Sequence, residues 1–315
     1  MIDEAIAYDA WGHDFFRIAV TEERLLGAVK QLAGRPIEFG PLGVGPGSAL
    51  TRDAAHLPSS DLAAPGPELV TGEGLDIGRV SIALYRPAHM RGRAPAVVFL
   101  PGLMAPEWQY ESYARDLASR GFVVAVRGGY GPFMSEVVLK NDASFIAQWL
   151  VAKGLADPAR IGVAGHSRGA KDAVWAAADD ARFRAVVALE PDDQGDITVA
   201  RGAIKKLHAP LLLVGAEVAW RGWQICCPRE HNYQRFFERA PTGTVELTIH
   251  DADHVQVMDN PDFPGQQICR VGTASSFVVR TLARRAFVDF FAQHLDGAAP
   301  AELHLGADGS VRVKG

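Results

Sequence analysis

Short, almost wholly apolar runs recur along this chain between longer stretches in which apolar residues return every three or four positions. Ala96-Val97-Val98-Phe99-Leu100 and Phe122-Val123-Val124-Ala125-Val126 contain no polar residue, and largely apolar runs follow at 184–189, 209–214 and 244–249. Runs of that length and character predict strands buried on both faces. Val80-Ser81-Ile82-Ala83-Leu84-Tyr85 alternates instead and ends at Pro87, which predicts an edge strand. The three-to-four spacing predicts helices over 107–119, 142–153, 230–239 and 275–295. Apolar strands separated by amphipathic helices build a mostly parallel sheet covered on both faces, so the fold class is α/β.

The two ends of the chain follow other patterns. Thr21 suits an N-cap, Glu22 and Glu23 fill a first turn, and Leu25, Leu26, Val29 and Leu32 share one face, which predicts a helix over 21–32. Residues 36–75 are rich in Gly and Pro and read as an irregular connector. The expected organisation is a helical and irregular extension over 1–75, a catalytic domain over 76–298 and a tail over 299–315. Alternation from Glu302 to Val313 around Ala307-Asp308-Gly309 predicts a small hairpin in that tail.

Chemistry enters at Gly165-His166-Ser167-Arg168-Gly169. The apolar run Arg160-Ile161-Gly162-Val163-Ala164 precedes it and the helical stretch 170–178 follows it. Gly-x-Ser-x-Gly between a strand and a helix is a nucleophile elbow, in which the turn is so tight that side chains at the two glycines would clash. Ser167 is then the nucleophile, and the Arg168 N–H points at the reacting carbonyl. The second donor of an oxyanion hole is expected from Pro101-Gly102-Leu103-Met104, where Gly102 lets the backbone approach and Leu103 N–H is the candidate.

A serine hydroxyl needs a histidine to take its proton, and that imidazole needs a third group to orient it. In a fold of this kind the order along the chain is Ser, acid, His. His254, in the loop 251–256 after the strand 244–249, is the candidate base; His250 reads as that strand's last residue. His250, His254, Asp251 and Asp253 lack the spacing of a metal site, so no metal and no cofactor is expected. Two acids compete. Glu190 ends the strand 184–189 before Pro191, and Glu217 follows the strand 209–214 at the commoner position; Asp192 and Asp193 are further neighbours. Position alone leaves Glu190 and Glu217 level.

Bulk properties narrow the partners. Apolar residues make up 48% and charged residues 22%, and net charge is −5, so there is no basic footprint for nucleic acid. No apolar run reaches the length of a membrane span, and the acidic start Met1-Ile2-Asp3-Glu4 does not resemble a secretory signal. Cys226, Cys227 and Cys269 are too few for a disulfide framework, although either of the first two could pair with Cys269. Reducing cytoplasm is the expected compartment. Trp108, Tyr110, Tyr130, Phe133, Met134 and Trp223 fall in loops expected at the carboxyl edge of the sheet; of these, Trp108, Tyr130, Phe133, Met134 and Trp223 are the candidate walls of a wide apolar pocket. Core packing is the plain alternative for each.

Five segments resemble plant and cyanobacterial chlorophyllases. Gly165-His166-Ser167-Arg168-Gly169-Ala170-Lys171 is similar to their Gly-His-Ser-Arg-Gly-Gly-Lys, and Leu189-Glu190-Pro191-Asp192 to their Asp-Pro-Val segment. Cys226-Cys227-Pro228 through Asn232 to Phe236-Phe237-Glu238 resembles their Cys-Ala-Pro, Asn, Phe-Phe segment. The loop 253–259 resembles their Gly-His-Met-Asp loop, and Ile268-Cys269-Arg270 their Cys-Lys segment with its following helix. The resemblance covers about 76–296 and implies an α/β-hydrolase fold with Ser167 as nucleophile, His254 as base and Glu190 as acid. Three departures stand out: Pro101-Gly102 replaces His-Gly, Glu replaces Asp, and residues 1–75 have no counterpart. The leading expectation is a serine hydrolase that cleaves a small-molecule ester with a bulky apolar group, with the homodimer left open. Acyl transfer or thioester release by the same residues, and a non-catalytic binding scaffold, are the alternatives.

Overall fold

The computed structural model describes residues 65–315 apart from 196, 201, 223–225 and 301–304, together with two short strands near the N-terminus. Those strands, β1 (Ala5–Tyr8) and β2 (Asp14–Ile18), pair antiparallel within a compact unit of their own, Met1–Pro65. The sequence reading places no strand there; the helix expected over 21–32 lies outside the described residues.

The second unit, Gly66–Gly315, is built on one nine-stranded sheet. Its strands are β3 (Val70–Ile77), β4 (Val80–Pro87), β5 (Ala94–Leu100), β6 (Val123–Arg127), β7 (Ala156–His166), β8 (Phe183–Leu189), β9 (Leu211–Ala216), β10 (Val245–Ile249) and β11 (Gly309–Val313). Their spatial order is β11-β10-β9-β8-β7-β5-β6-β4-β3. The six strands from β6 to β10 in that order run parallel, and β4, β3 and β11 add antiparallel neighbours at the two sides. This is the α/β-hydrolase arrangement, with helices on both faces.

Period-two alternation explains why wholly apolar runs became strands. Val97, Phe99, Val124, Val187 and Val214 point to one face, against Tyr113 and Leu117 of α1 (Glu111–Ala118) and Phe287 and Phe291 of α5 (Ser276–Asp296). Val98, Leu100, Ala125, Val163 and Leu213 point to the other. They meet Ile146 and Leu150 of α2 (Glu136–Ala152), Val174 of α3 (Arg168–Asp179) and Phe236 of α4 (Tyr233–Arg239). Both sides of each strand are therefore core.

Three boundaries differ from the sequence reading. β3 lies inside the expected connector, so the catalytic unit begins earlier than residue 76. α2 starts before 142, at Glu136. The described end of the tail adds β11 to β10 along Val245–Ile249, a pairing the sequence reading does not include; the first arm of the expected hairpin falls on 301–304, outside the described residues.

Glycine sets how closely α5 lies on the sheet. A Cβ on Gly162 of β7 would come 2.5 Å from the ring of Phe291. Gly162→Ala is expected to destabilise the protein by about 1–3 kcal/mol through overpacking, read as a lower urea midpoint at unchanged slope. An unchanged midpoint would contradict this packing.

Candidate active site

The parallel strands β7, β8 and β9 and the loop after β10 each deliver one part of the site at the sheet's carboxyl edge. Ser167 follows β7 with φ 55° and ψ −125°, a strained backbone that lifts its hydroxyl above the sheet. The glycines are demanded by contact. A Cβ on Gly165 would lie 2.3 Å from the Gly169 carbonyl oxygen, and one on Gly169 would lie 2.3 Å from the carbonyl oxygens of Leu100 and Pro101. The Ser167 N–H donates to the Leu189 carbonyl at 3.0 Å, which ties the turn to β8.

Glu190 follows β8 with φ 45°, and its N–H donates to the Val214 carbonyl at 2.7 Å. That bend aims the carboxylate across the end of β9, where Oε1 accepts the Ala216 N–H at 2.6 Å. Oε2 lies 3.1 Å from His254 Nδ1, and His254 Nε2 lies 2.9 Å from Ser167 Oγ. All three side chains are buried. Glu217 is exposed and turned away; its carboxylate accepts the Asp251 N–H at 3.0 Å, holding the start of the histidine loop. Asp192 accepts from Gln194, and Asp193 from the Val199 and Ala200 N–H groups, so neither reaches His254.

A local motif shapes the histidine loop. The Asp253 carboxylate accepts the Gln256 N–H at 3.1 Å while Gln256 Oε1 accepts the Asp253 N–H at 2.9 Å. This reciprocal capping box wraps His254 into one turn, and its Asp-x-x-Gln signature is a signal in the sequence that points to it. The other Asp253 oxygen accepts from Arg270 and from the Val271 and Gly272 N–H groups.

Burial governs the electrostatics. It pushes the Glu190 carboxyl up to about 8, against the N–H of Ala216, and pulls the His254 imidazole down to about 4. Both shifts oppose charge on the group concerned, and groups this close titrate as one pair. The Cys227 thiol touches the Glu190 and Pro191 carbonyls and is pushed up by burial, so it stays protonated. The donor atoms of Glu190, Cys227 and His254 lie within 4.8 Å of one another, but Ser167 and Glu190 already occupy both His254 nitrogens. Cys226 is bonded to Cys269 instead, across 43 residues, joining the loop before α4 to the segment after the histidine loop.

A cavity of about 520 Å³ opens beside Ser167. Leu103, Phe133 and Met134 line one side, and Arg168, Glu136 and Asp192 bring polar groups to it. Leu103 and Arg168, the expected oxyanion donors, thus both border the cavity. Trp108 and Tyr130 do not line it. Trp108 packs edge-on against Phe263 at 5.2 Å, and Tyr130 is buried beneath the guanidinium groups of Arg127 and Arg168. Trp223 lies outside the described residues. Two of the five expected wall residues, Phe133 and Met134, therefore line the cavity, and a polar side accompanies them.

Lys171 holds that polar side together from behind. Fully buried, its ammonium donates to Glu136 at 2.6 Å and to the carbonyls of Gln194 and Ile197 at 2.7 and 3.0 Å. All three protons are used, fastening the start of α2 and the loop 192–197 to α3. Gly195, with φ 118°, passes so close that a Cβ would lie 2.2 Å from the Glu136 carboxylate. Lys171→Met would leave that carboxylate with only the Arg168 guanidinium, 3.6 Å away, and the Gln194 and Ile197 carbonyls without their donor, at an expected cost of about 3–5 kcal/mol in urea unfolding. A loss below about 1 kcal/mol would contradict this role.

Among the described residues no helix is long and apolar enough to cross a membrane. Compared with known proteins, residues 79–305 match the family described as Chlorophyllase. No curated protein matches the chain.

Proposed function

The chain belongs to the chlorophyllase family, and from that premise we propose that it is a serine hydrolase that cleaves carboxylic esters with a bulky apolar group through an acyl-enzyme. The family makes it an ester hydrolase of α/β-hydrolase type. The finer reading is supported above all by the buried chain from Glu190 through His254 to Ser167, with contacts of 3.1 and 2.9 Å.

In this reading Ser167 Oγ attacks the ester carbonyl carbon while His254 Nε2 takes the hydroxyl proton. The carbonyl oxygen gains charge between the N–H groups of Arg168 and Leu103. Arg168 opens α3, so its N–H has no acceptor within the helix. The Leu103 N–H donates to no acceptor among the described residues. When the tetrahedral intermediate collapses, the carbon–oxygen bond to the alcohol breaks and the imidazolium returns its proton to the departing oxygen. Water then attacks the acyl-enzyme, gives one proton to His254 and releases the acid, and Ser167 recovers its proton. Glu190 holds the Nδ1–H throughout and stabilises the imidazolium. The apolar wall of Leu103, Phe133 and Met134 suits the bulky group.

The variants Glu190→Gln and Glu217→Gln test the assignment. Glu190→Gln keeps the shape but removes the charge that stabilises the imidazolium, and kcat should fall by several orders of magnitude. Glu217→Gln should stay within about tenfold of the wild type, which is 1.4 kcal/mol in barrier. The reverse order would overturn the reading.

A pH profile follows from the buried pair. With Glu190 protonated, its O–H donates to Nδ1, and the single ring proton sits on Nε2 facing Ser167. Such a ring cannot take the serine proton. Loss of one proton from the pair switches the base on, so kcat/KM should rise with pH and level off above about pH 8. A profile that falls or stays flat between pH 5 and 9 would contradict this.

A further inference from the structure

A second imidazole lies directly beneath the first. His166 precedes Ser167, is buried, and packs with its ring centre 4.9 Å from that of His254, the two planes tilted by 35°. The proton path from Ser167 to Glu190 does not use it. Its Nε2 lies 2.9 Å from the His254 carbonyl oxygen, and its Nδ1 lies 2.9 Å from the Tyr110 hydroxyl. The same hydroxyl lies 3.0 Å from the Gly102 nitrogen.

The two ends of this chain fix every proton in it. A carbonyl can only accept, so His166 Nε2 carries the ring proton and donates to His254. Nδ1 then accepts, so the Tyr110 O–H donates to it. The Tyr110 oxygen in turn accepts the Gly102 N–H. All the hydrogen bonds point one way, from the oxyanion loop through Tyr110 and His166 to the backbone of the base. A protonated His166 would present a second donor to Tyr110 and break the chain; burial holds the imidazole well below its ordinary value.

Close packing leaves the chain no slack. Tyr110 is fully buried, with its ring 4.6 Å from that of Phe99. A Cβ on Gly102 would lie 2.9 Å from His166 Nδ1 and 3.2 Å from the Tyr110 oxygen, so only glycine brings that N–H within reach. The segment so anchored carries Leu103, the expected oxyanion donor. Three loops that come from distant parts of the sequence thus meet at one imidazole.

We infer that His166 is a positioning residue: in its neutral Nε2–H form it holds the oxyanion loop, through Tyr110 and Gly102, and the base, through the His254 carbonyl, in register with Ser167. This inference rests on the serine-hydrolase reading. Hydrogen-bonded chains of this kind act as a unit, so cutting either bond should release both loops.

The test uses the full-length protein with p-nitrophenyl butyrate as substrate. Tyr110→Phe removes one oxygen and leaves the ring. It should lower kcat roughly tenfold or more while KM stays within about twofold, because small misplacements of reacting groups cost rate rather than binding. His166→Leu should lose at least as much. His166→Gln, whose amide can donate to the His254 carbonyl and accept from Tyr110, should recover most of the loss. The double variant Tyr110→Phe/His166→Leu should be no slower than His166→Leu alone. Tyr110→Phe with kcat within about twofold of the wild type, or single losses that multiply in the double variant, would overturn the inference. If His166→Leu does not fold, Tyr110→Phe and His166→Gln decide. Fluorophosphonate labelling separates the two readings. A wild type that neither labels nor turns over ester overturns the hydrolase itself, and the role of His166 with it. A wild type that does both, with unimpaired variants, overturns His166 alone.

Discussion

Everything at the site depends on one tight turn. Gly165 and Gly169 let β7 run into α3 with their backbones in direct contact, and Gly169 also presses on the carbonyls of Leu100 and Pro101 at the end of β5. Any side chain at either position would push the turn apart by more than an ångström. With both glycines present, Ser167 is forced to φ 55°, and its hydroxyl rises above the sheet while Arg168 borders the cavity beside it. The central position of β7, between β5 and β8, brings the loop after β5 and Glu190 to its two sides.

Backbone strain is gathered around that turn. Among the described residues the non-glycine positions with left-handed φ are Met104, Ser167, Glu190, Cys227 and Asp251. Met104 follows Leu103 in the loop after β5, Ser167 and Glu190 lie on either side of His254, Cys227 lies against Glu190, and Asp251 starts the histidine loop. Such conformations cost about 1–3 kcal/mol each and persist only where the surroundings enforce them. The enforcing contacts are visible here: Lys171 with its three acceptors, the Asp253–Gln256 capping box, the Cys226–Cys269 link and the His166 chain. Burying Glu190, which raises its affinity for a proton, is a further cost of the same site. In the proposed mechanism, an imidazolium formed during ester cleavage would face that buried carboxylate.

How much could be read from the residues depended on how local the cause was. The elbow is local: two glycines and a serine between a strand and a helix carry their own steric reason. The buried strands were equally plain, because both faces of each strand are core. β3 was hidden because Val70-Thr71-Gly72-Glu73-Gly74 has two glycines and is mostly exposed at the sheet's edge. The start of α2 was hidden by Val137-Val138, β-branched residues that favour strands. Glu190 and Glu217 could not be separated by position, since each leaves the end of a parallel strand. The left-handed bend at Glu190 places its carboxylate beneath His254, and no hydrophobic pattern records that bend. The role of Lys171 has no local signal, because Glu136, Gln194 and Ile197 are 23 to 35 residues away.

The central claim is that ester cleavage passes through an acyl group on Ser167. Quenching the wild-type protein within its first turnovers of a slowly hydrolysed ester, and then mapping the added mass by peptide mass spectrometry, measures this directly. The account predicts an acyl adduct on the peptide that contains Ser167, formed in step with an initial burst of alcohol and removed by hydroxylamine. Turnover with no adduct, or an adduct mapped to Cys227 or another residue, would contradict it.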